Sequence, residues 1–222
     1  MTDRKLLLSS LRPLLGPGVG AGISDPKAPD GNIWPQEASA IEKAVPKRRL
    51  EFTAGRVAAR LAMADLGLET TPIPMAPDRA PVWPDGLVGS IAHCHTSAIA
   101  AVAPKGALQS IGIDIEEAED LAKDLWETVC TDTELAWLET LPPYARGRIA
   151  KQIFTAKEAV YKAQYPLTQE IIGFEAVRIT LHSPTMFTAH TKQHTYFGQW
   201  AIVSGLILCA VPVRLNSLKS GT

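Results

Sequence analysis

The chain contains two long segments in which apolar side chains recur every three to four residues, the period of an amphipathic helix. The first covers residues 37–68, where Gly67 supplies a helix stop. The second begins near Ala145 and is expected to end at Pro166, because proline lacks the amide hydrogen that helical bonding needs. The pattern therefore predicts two long helices in different parts of the chain.

Elsewhere the apolar runs are short and bounded by turn residues, as is typical of strands. A proline-rich loop over residues 70–86 precedes three such runs, and four more follow the second helix. The last two meet at Ser204 and Gly205, which predicts a tight hairpin turn. The predicted strands cover residues 87–93, 97–103, 109–116, 174–181, 185–191, 197–203 and 206–213.

Helices and strands thus occur twice along the chain. We expect an α/β (α+β) fold with two similar α/β halves in a pseudo-twofold arrangement, residues 1–105 and residues 106–222. The glycine-rich residues 16–21 match the spacing of a dinucleotide-binding loop, but no clean strand precedes them and no helix follows. They are therefore expected to form a loop that leads into a strand.

The composition narrows the classes of function. A formal net charge of −1 argues against nucleic-acid binding through a general positive field. The three cysteines are far apart and form no CxxC pair, so buried reduced thiols are expected. Arg12 and Pro13 interrupt the apolar N-terminal run, and residues 198–213 are too short for a membrane-spanning helix. We expect a cytoplasmic protein with no membrane segment, and a monomer because one chain holds both halves.

An acidic pair interrupts the apolar strand over residues 109–116. Alternate side chains of a strand share a face, so the isoleucines point into the core while Gly112, Asp114 and Glu116 point the other way. The glycine would let another group approach the backbone closely. Two carboxylates on one face repel each other unless a cation lies between them, and oxygen ligands suit Mg²⁺. The alternative is a solvated strand end, which this stretch alone favours.

The second long helix strengthens the case for a cation site over a solvated strand end. Glu158 and Lys162 share a face one turn apart, and Lys157 lies on the adjoining stripe. In a functional interpretation Glu158 is a third metal carboxylate, and Lys157 and Lys162 bind phosphate oxygens, an arrangement that suits phosphoryl transfer. The alternative is a surface ion pair worth a few tenths of a kcal/mol above buried aromatic residues.

Two further stretches suit a phosphate-rich ligand. Arg49 and Arg56 share a face of the first helix, Arg48 lies nearby, and arginine forms forked hydrogen bonds with phosphate. A solvated basic face is the alternative. His93 and His95 follow a strand, but no third zinc ligand is evident, so His93 is expected to contact phosphate.

Four ordered motifs in residues 46–175 resemble those of the 4′-phosphopantetheinyl transferases. They are RRLEFTAGRVAA, WPDGLVGSIAH, GIDIE and FTAKEAVYKA. The paired GIDIE and KEAVYK are specific to that superfamily. The chain resembles the larger, single-chain class that activates siderophore and polyketide synthetases, which includes enterobactin synthetase component D.

The resemblance implies transfer of 4′-phosphopantetheine from coenzyme A to a serine of an apo acyl, peptidyl or aryl carrier protein, with Mg²⁺ as cofactor and release of adenosine 3′,5′-bisphosphate. It implies Asp114, Glu116 and Glu158 as the Mg²⁺ ligands, with Glu158 or a metal-bound water as the base. Lys157 and Lys162 match lysines near the pyrophosphate. The implied catalytic residues are therefore Glu158, Lys162 and Asp114.

The same resemblance implies contacts to coenzyme A. Arg48, Arg56 and His93 match phosphate contacts, and Ser90 lies in the same pocket. Two positions depart from the family pattern: Ala92 replaces a Ser or Thr, and Met75 lies where relatives often carry a lysine, for which Arg79 is a candidate substitute.

Two other functions stay open at this level. One is a non-catalytic module that binds coenzyme A or a carrier protein. The other is a different Mg²⁺-dependent phosphotransferase or hydrolase, although the chain has no GxxxxGK[ST] phosphate loop. The carrier and its pathway are not determined; Trp126, Leu141 and Tyr165 are either carrier contacts or core. We expect Asp114→Ala to abolish transfer and to leave the fold intact by relieving a repulsive pair.

Overall fold

The computed structural model describes residues 3–214 and 219–220. Its N-terminal part contains α1 (Arg4–Leu15), β1 (Gly20–Ser24), α2 (Pro35–Ala38), a 3₁₀ turn (Ser39–Ile41), α3 (Pro46–Asp65), β2 (Leu87–His93) and β3 (Ala98–Pro104). Its C-terminal part begins with β4 (Ser110–Glu117), a 3₁₀ turn (Lys123–Leu125), α4 (Trp126–Val129), α5 (Asp132–Thr140) and α6 (Pro143–Thr168). It ends with a 3₁₀ turn (Phe174–Ala176), β5 (Arg178–Ser183), β6 (Met186–His190), β7 (His194–Val203), β8 (Leu206–Val213) and β9 (Lys219–Ser220).

The strands form two antiparallel sheets. The smaller has the order β1-β3-β2, and the larger has the order β4-β8-β7-β6-β5, with β9 paired to β7. Ser204 and Gly205 join β7 to β8 with φ of 51° and 75°, so the predicted tight turn is confirmed. The mixed fold of helices and strands is confirmed as well, whereas the pseudo-twofold relation and the division at residue 105 stay predictions.

Each sheet packs closely against one long helix through a glycine. A Cβ atom on Gly22 of β1 would lie 2.0 Å from the Ala58 carbonyl oxygen of α3. A Cβ atom on Gly112 of β4 would lie 1.8 Å from the Ala159 carbonyl oxygen of α6. The group that approaches Gly112 closely, as the sequence led us to expect, is therefore the backbone of α6.

The two sheets also share buried contacts. The Ile113 amide of β4 donates to the Ser90 hydroxyl of β2 at 3.1 Å, so a side chain bridges the two sheets. One apolar cluster includes Leu11 of α1, Ile99 of β3 and Leu208 of β8. The N-terminal helix thus belongs to the same core as the C-terminal sheet.

Two helix predictions need correction. The segment 37–68 is divided into α2, a 3₁₀ turn and α3, because Pro46 starts a new helix at its first position. The second long helix runs two residues past Pro166, whose missing amide costs one bond in the last turn; it ends at Thr168, and Gln169 follows with φ of 58°. In addition, helix α1 was not predicted. None of the helices in the described part of the chain has the length and apolarity that a membrane crossing requires.

Candidate active site

A cleft lies where α3 and β2 face the C-terminal part of α6. It consists of two adjoining cavities of about 240 Å³ and 450 Å³, which share Arg79, Pro81, Ile91 and Lys162. The ionisable side chains that line the smaller cavity are Arg48, Glu51, Arg56, Arg79, His93 and Lys162. The larger cavity is more aromatic and includes Trp83, Tyr161 and Tyr165. The cleft is therefore basic at one end and aromatic at the other.

Arg48 and His93 meet across the basic end. The Arg48 guanidinium lies 3.2 Å from His93 Nε2, and because arginine can only donate, Nε2 accepts and the imidazole is neutral. Burial lowers the pKa of His93, and the charges of Arg48 and Lys162 lower it further, against the opposing effect of Glu51. An anion bound here would meet the Arg48 guanidinium beside a neutral imidazole ring.

Arg56 and Ser90 also border the cleft, but both hold the structure together. The Arg56 Nε atom donates to the Ile73 carbonyl oxygen at 2.7 Å, and its guanidinium lies over the Phe52 ring at 4.0 Å. Burial lowers the pKa of Arg56 to about 10. Ser90 is buried and accepts the amide of Ile113. Each residue therefore shapes the cavity wall, with only part of its side chain available to a ligand.

Lys162, which lines both cavities of the cleft, pairs with the buried Asp114. The Asp114 Oδ1 atom accepts from Lys162 Nζ at 2.7 Å, and the Asp114 side chain is only 6% exposed. Burial raises the pKa of Asp114, although Lys162 opposes the rise. Burial works against the charged form of Lys162, but Asp114, together with Glu158 and Glu116, outweighs it and raises the pKa of Lys162. The negative charge predicted for this face of β4 is thus balanced at Asp114 by a lysine from α6.

Glu116 has a lysine partner of its own. Its Oε2 atom accepts from Lys151 Nζ at 2.6 Å, and both side chains are largely buried. Burial raises the pKa of Glu116, with Lys151 opposing. The neighbouring Glu117 accepts the backbone amide of His95 at 3.0 Å, which ties the loop after His93 to the end of β4.

The three predicted metal ligands include an oxygen that could bind a cation, but in the described structure they do not form a ready-made metal site. Asp114 Oδ2 is buried without a hydrogen-bond partner in the described structure, as expected of an oxygen that awaits a cation. Glu158 lies near enough for its charge to raise the pKa of both Asp114 and Lys162. Among residues 3–214 and 219–220, however, no three acidic, histidine or cysteine side chains converge as a preformed metal site. The donor chemistry suits Mg²⁺, and Glu116 must turn from Lys151 to join it.

Lys157 is not in the cleft, which corrects its prediction as a phosphate ligand. Its ammonium is fully buried on the far side of α6 and donates to Glu134 Oε2 at 2.7 Å. The carbonyl oxygens of Val129 and Phe174 accept its other two hydrogens at 2.8 and 3.0 Å. Because all three donors are used inside the core, Lys157 has none left for a ligand.

Of the three residues named as carrier contacts or core, two lie against the core and one lines the cleft. Trp126 and Leu141 pack against the core of the C-terminal part, and the Trp126 indole donates to the Leu121 carbonyl oxygen. Tyr165 instead lines the larger cavity, and its hydroxyl donates to Asp78 at 2.6 Å.

Sequence reasoning passed over Lys151 and gave Arg79 only a minor place. Lys151 lies seven residues, or two helical turns, before Glu158. The helical period that puts Glu158 and Lys162 on one face of the helix therefore puts Lys151 on that face as well. Arg79 has no periodic signal, since it lies in a turn with φ of 72°. A positive φ at a residue other than glycine in a cleft is a typical mark of a functional position.

Comparison with known proteins gives the class of protein. The sequence model of the 4′-phosphopantetheinyl transferase N-terminal domain matches residues 36–103, and that of the 4′-phosphopantetheinyl transferase superfamily matches residues 110–211. The chain therefore belongs to the 4′-phosphopantetheinyl transferase superfamily, as its motifs predicted.

Similar individual proteins belong to the larger, single-chain class. The chain is 36% identical over 201 residues to the 4′-phosphopantetheinyl transferase Npt of Nocardia iowensis, covering 82% of this chain and 90% of that one. It is 35% identical over 205 residues to PptT of Mycobacterium tuberculosis, covering 85% and 88%. It is also 35% identical over 179 residues to enterobactin synthase component D of Salmonella typhimurium, covering 76% and 73%. The predicted enzyme class is confirmed.

Proposed function

We propose that this chain transfers 4′-phosphopantetheine from coenzyme A to a serine of an apo carrier protein. One observation carries the proposal: Lys162 lines a cleft that also holds arginines, and it pairs with Asp114, a buried carboxylate that has an unpartnered oxygen in the described structure. Phosphoryl transfer depends on charge neutralisation and alignment, and this arrangement offers both.

The two cavities suit the two ends of coenzyme A. The phosphates would lie in the basic cavity against Arg48, Arg79, His93 and Lys162, with part of Arg56 in its wall. The pantetheine arm would lie in the aromatic cavity beside Tyr161. Met75 and Ala92 line the basic cavity without adding charge or a hydroxyl, so phosphate affinity depends on the remaining cations.

Asp114, Glu116 and Glu158 would hold Mg²⁺. When bound, the ion neutralises charge on the pyrophosphate and so favours departure of adenosine 3′,5′-bisphosphate. Lys162 would stabilise the charge that develops on the transferred phosphoryl group, because it lines both cavities and carries a raised pKa.

Glu158 would act on the incoming serine. It lines an open cavity of about 270 Å³ on the other flank of α6, together with Tyr161 and the 84% exposed Ile171. In the proposed step the serine oxygen forms a bond to the phosphorus of the pantetheine phosphate, and the bond to the departing nucleotide phosphate breaks. Glu158 would take the serine proton, and the exposed apolar rim would receive the carrier.

The partners follow from this reaction. They are coenzyme A and an apo acyl, peptidyl or aryl carrier protein, with neither nucleic acid nor a membrane involved. We further propose that the protein acts as a cytoplasmic monomer, since every group assigned here comes from one chain.

The test is the intact mass of an apo carrier protein after incubation with this protein, coenzyme A and Mg²⁺. A gain of one phosphopantetheinyl arm that EDTA prevents is the expected result, and Asp114→Asn, compared at the same early time point, is the slowed control. Binding of coenzyme A with no mass gain on several carriers would instead identify a non-catalytic binding module.

A further inference from the structure

Two of the three acidic residues proposed to hold Mg²⁺ already have lysine partners. Lys162 Nζ lies 2.7 Å from Asp114 Oδ1, and Lys151 Nζ lies 2.6 Å from Glu116 Oε2. Both lysines belong to α6 and, eleven residues apart, lie on one face of it. The acidic cluster is therefore largely neutralised by the protein before any metal arrives.

The two lysines differ in what can reach them. Lys162 lines both cavities of the cleft, so a phosphate bound there can attract it away from Asp114. Lys151 lines neither of these two cavities; its side chain is 16% exposed, and its ammonium lies 5.3 Å from the centre of the Phe154 ring. A ligand in the cleft thus relieves Asp114 directly but leaves the pair of Lys151 and Glu116 in place.

Mg²⁺ held by both Asp114 and Glu116 would need a Glu116 oxygen beside the Lys151 ammonium. Asp114 Oδ2 is buried and unpartnered in the described structure, whereas Glu116 Oε2 accepts from Lys151. A divalent ion that binds Glu116 must therefore displace this ammonium or lie close to its positive charge. The ion gains more once pyrophosphate oxygens supply additional ligands and negative charge.

We propose that Lys151 is an internal counter-ion that competes with Mg²⁺ for Glu116, so that the metal binds tightly only together with the pyrophosphate of coenzyme A. The part that concerns coenzyme A rests on the proposed function. In this proposal Lys151 determines the order in which Mg²⁺ and coenzyme A bind. It acts through Glu116 and does not touch the reacting atoms.

The test is titration of the purified chain with MgCl₂ alone, at constant ionic strength, by isothermal titration calorimetry. Lys151→Gln is expected to tighten Mg²⁺ binding by roughly tenfold, since it removes a like charge beside the ion. Lys151→Arg keeps the charge and should bind Mg²⁺ as the natural chain does. Lys192→Gln, which makes the same change at an exposed turn between β6 and β7, is the matched control. Electron paramagnetic resonance with Mn²⁺ provides a second direct measurement.

A double variant tests whether the effect runs through Glu116. In Lys151→Gln combined with Glu116→Gln the gain in Mg²⁺ affinity should disappear. Coenzyme A should strengthen Mg²⁺ binding more in the natural chain than in Lys151→Gln. Unchanged or weaker Mg²⁺ binding in Lys151→Gln would overturn the proposal, even if carrier transfer is observed. Conversely, a chain without transfer activity can still show the gain, so this inference and the proposed function fail separately.

Discussion

Lys157 of α6 and Glu134 of α5 form a fully buried ion pair, with Nζ and Oε2 2.7 Å apart. Glu134 also accepts the amides of Thr131 and Ile179, at 2.8 and 2.6 Å, so it connects the start of α5 to β5. A similar device lies in the N-terminal part, where buried Glu37 accepts from the Arg60 guanidinium and from the Ile73 amide. Both long helices are thus fixed to their surroundings by a buried cation.

Lys157→Met is expected to lower the free energy of unfolding by about 3–5 kcal/mol, because it leaves the Glu134 charge buried and unpaired. Urea denaturation followed by circular dichroism measures the loss. Lys123→Met, at an exposed position, should change little. If Lys157→Met kept full stability and instead weakened coenzyme A binding, the placement of Lys157 in the core would be wrong.

Asp114→Asn is expected to reduce kcat by about 10²–10³-fold, the scale of losing one preorganised electrostatic contact. It should also cost about 1–3 kcal/mol of stability, because Lys162 loses its buried partner. The sequence-based expectation of relieved repulsion and an undisturbed fold is therefore revised. Transfer kinetics and thermal unfolding of the same preparation measure both effects, and normal turnover in this variant would contradict the site.

His93 should titrate below its ordinary pKa of 6.5, since burial and the neighbouring cations disfavour its charged form. The folded state then binds fewer protons than the unfolded state, so this contribution to stability is present above pH 6.5 and declines as pH falls. NMR titration of the His93 ring measures the shift. Arg48→Ala should move the pKa upward by removing one positive charge, and bound coenzyme A should do the same. A downward shift with coenzyme A would argue against phosphate contact.

Gly112→Ala is expected to destabilise the fold by about 3 kcal/mol or more through overpacking. Its Cβ would lie 1.8 Å from the Ala159 carbonyl oxygen, so β4 and α6 must separate. Gly67→Ala is the matched control: it has φ of +69° and open space, and should cost only about 1–2 kcal/mol from backbone strain. Chemical denaturation of both variants measures the loss in free energy of unfolding. Equal losses would show that the close contact between β4 and α6 at Gly112 does not affect stability.

Tyr165→Phe is expected to raise the KM for coenzyme A about threefold with little change in kcat, the pattern of lost substrate positioning. The Tyr165 hydroxyl donates to Asp78, which precedes Arg79 in the turn that borders both cavities. Steady-state kinetics with varied coenzyme A make the measurement. Tyr144→Phe, at an 84% exposed position, serves as the control. A fall in kcat alone would assign Tyr165 to the chemical step instead.

Local patterns along the chain were enough to predict strands β2 to β8, the class of fold and the superfamily. Alternation placed Ile113 in the core and Asp114 on the opposite face of β4, and the structure agrees. Helical periodicity placed Glu158 and Lys162 together on α6. The motifs around them then specified the family that the comparisons show.

The pairing of the charged side chains, in contrast, was determined only by how separate helices and strands pack together. Lys157 and Lys162 look alike in the sequence, but they lie five residues apart on α6 and so point in different directions. Lys157 pairs with Glu134 in the core, and Lys162 pairs with Asp114 beside the cleft. Likewise, the partner that Gly112 admits is α6 itself. Period and composition describe one element at a time, whereas the energy of a buried charge depends on the atoms that another element brings to it.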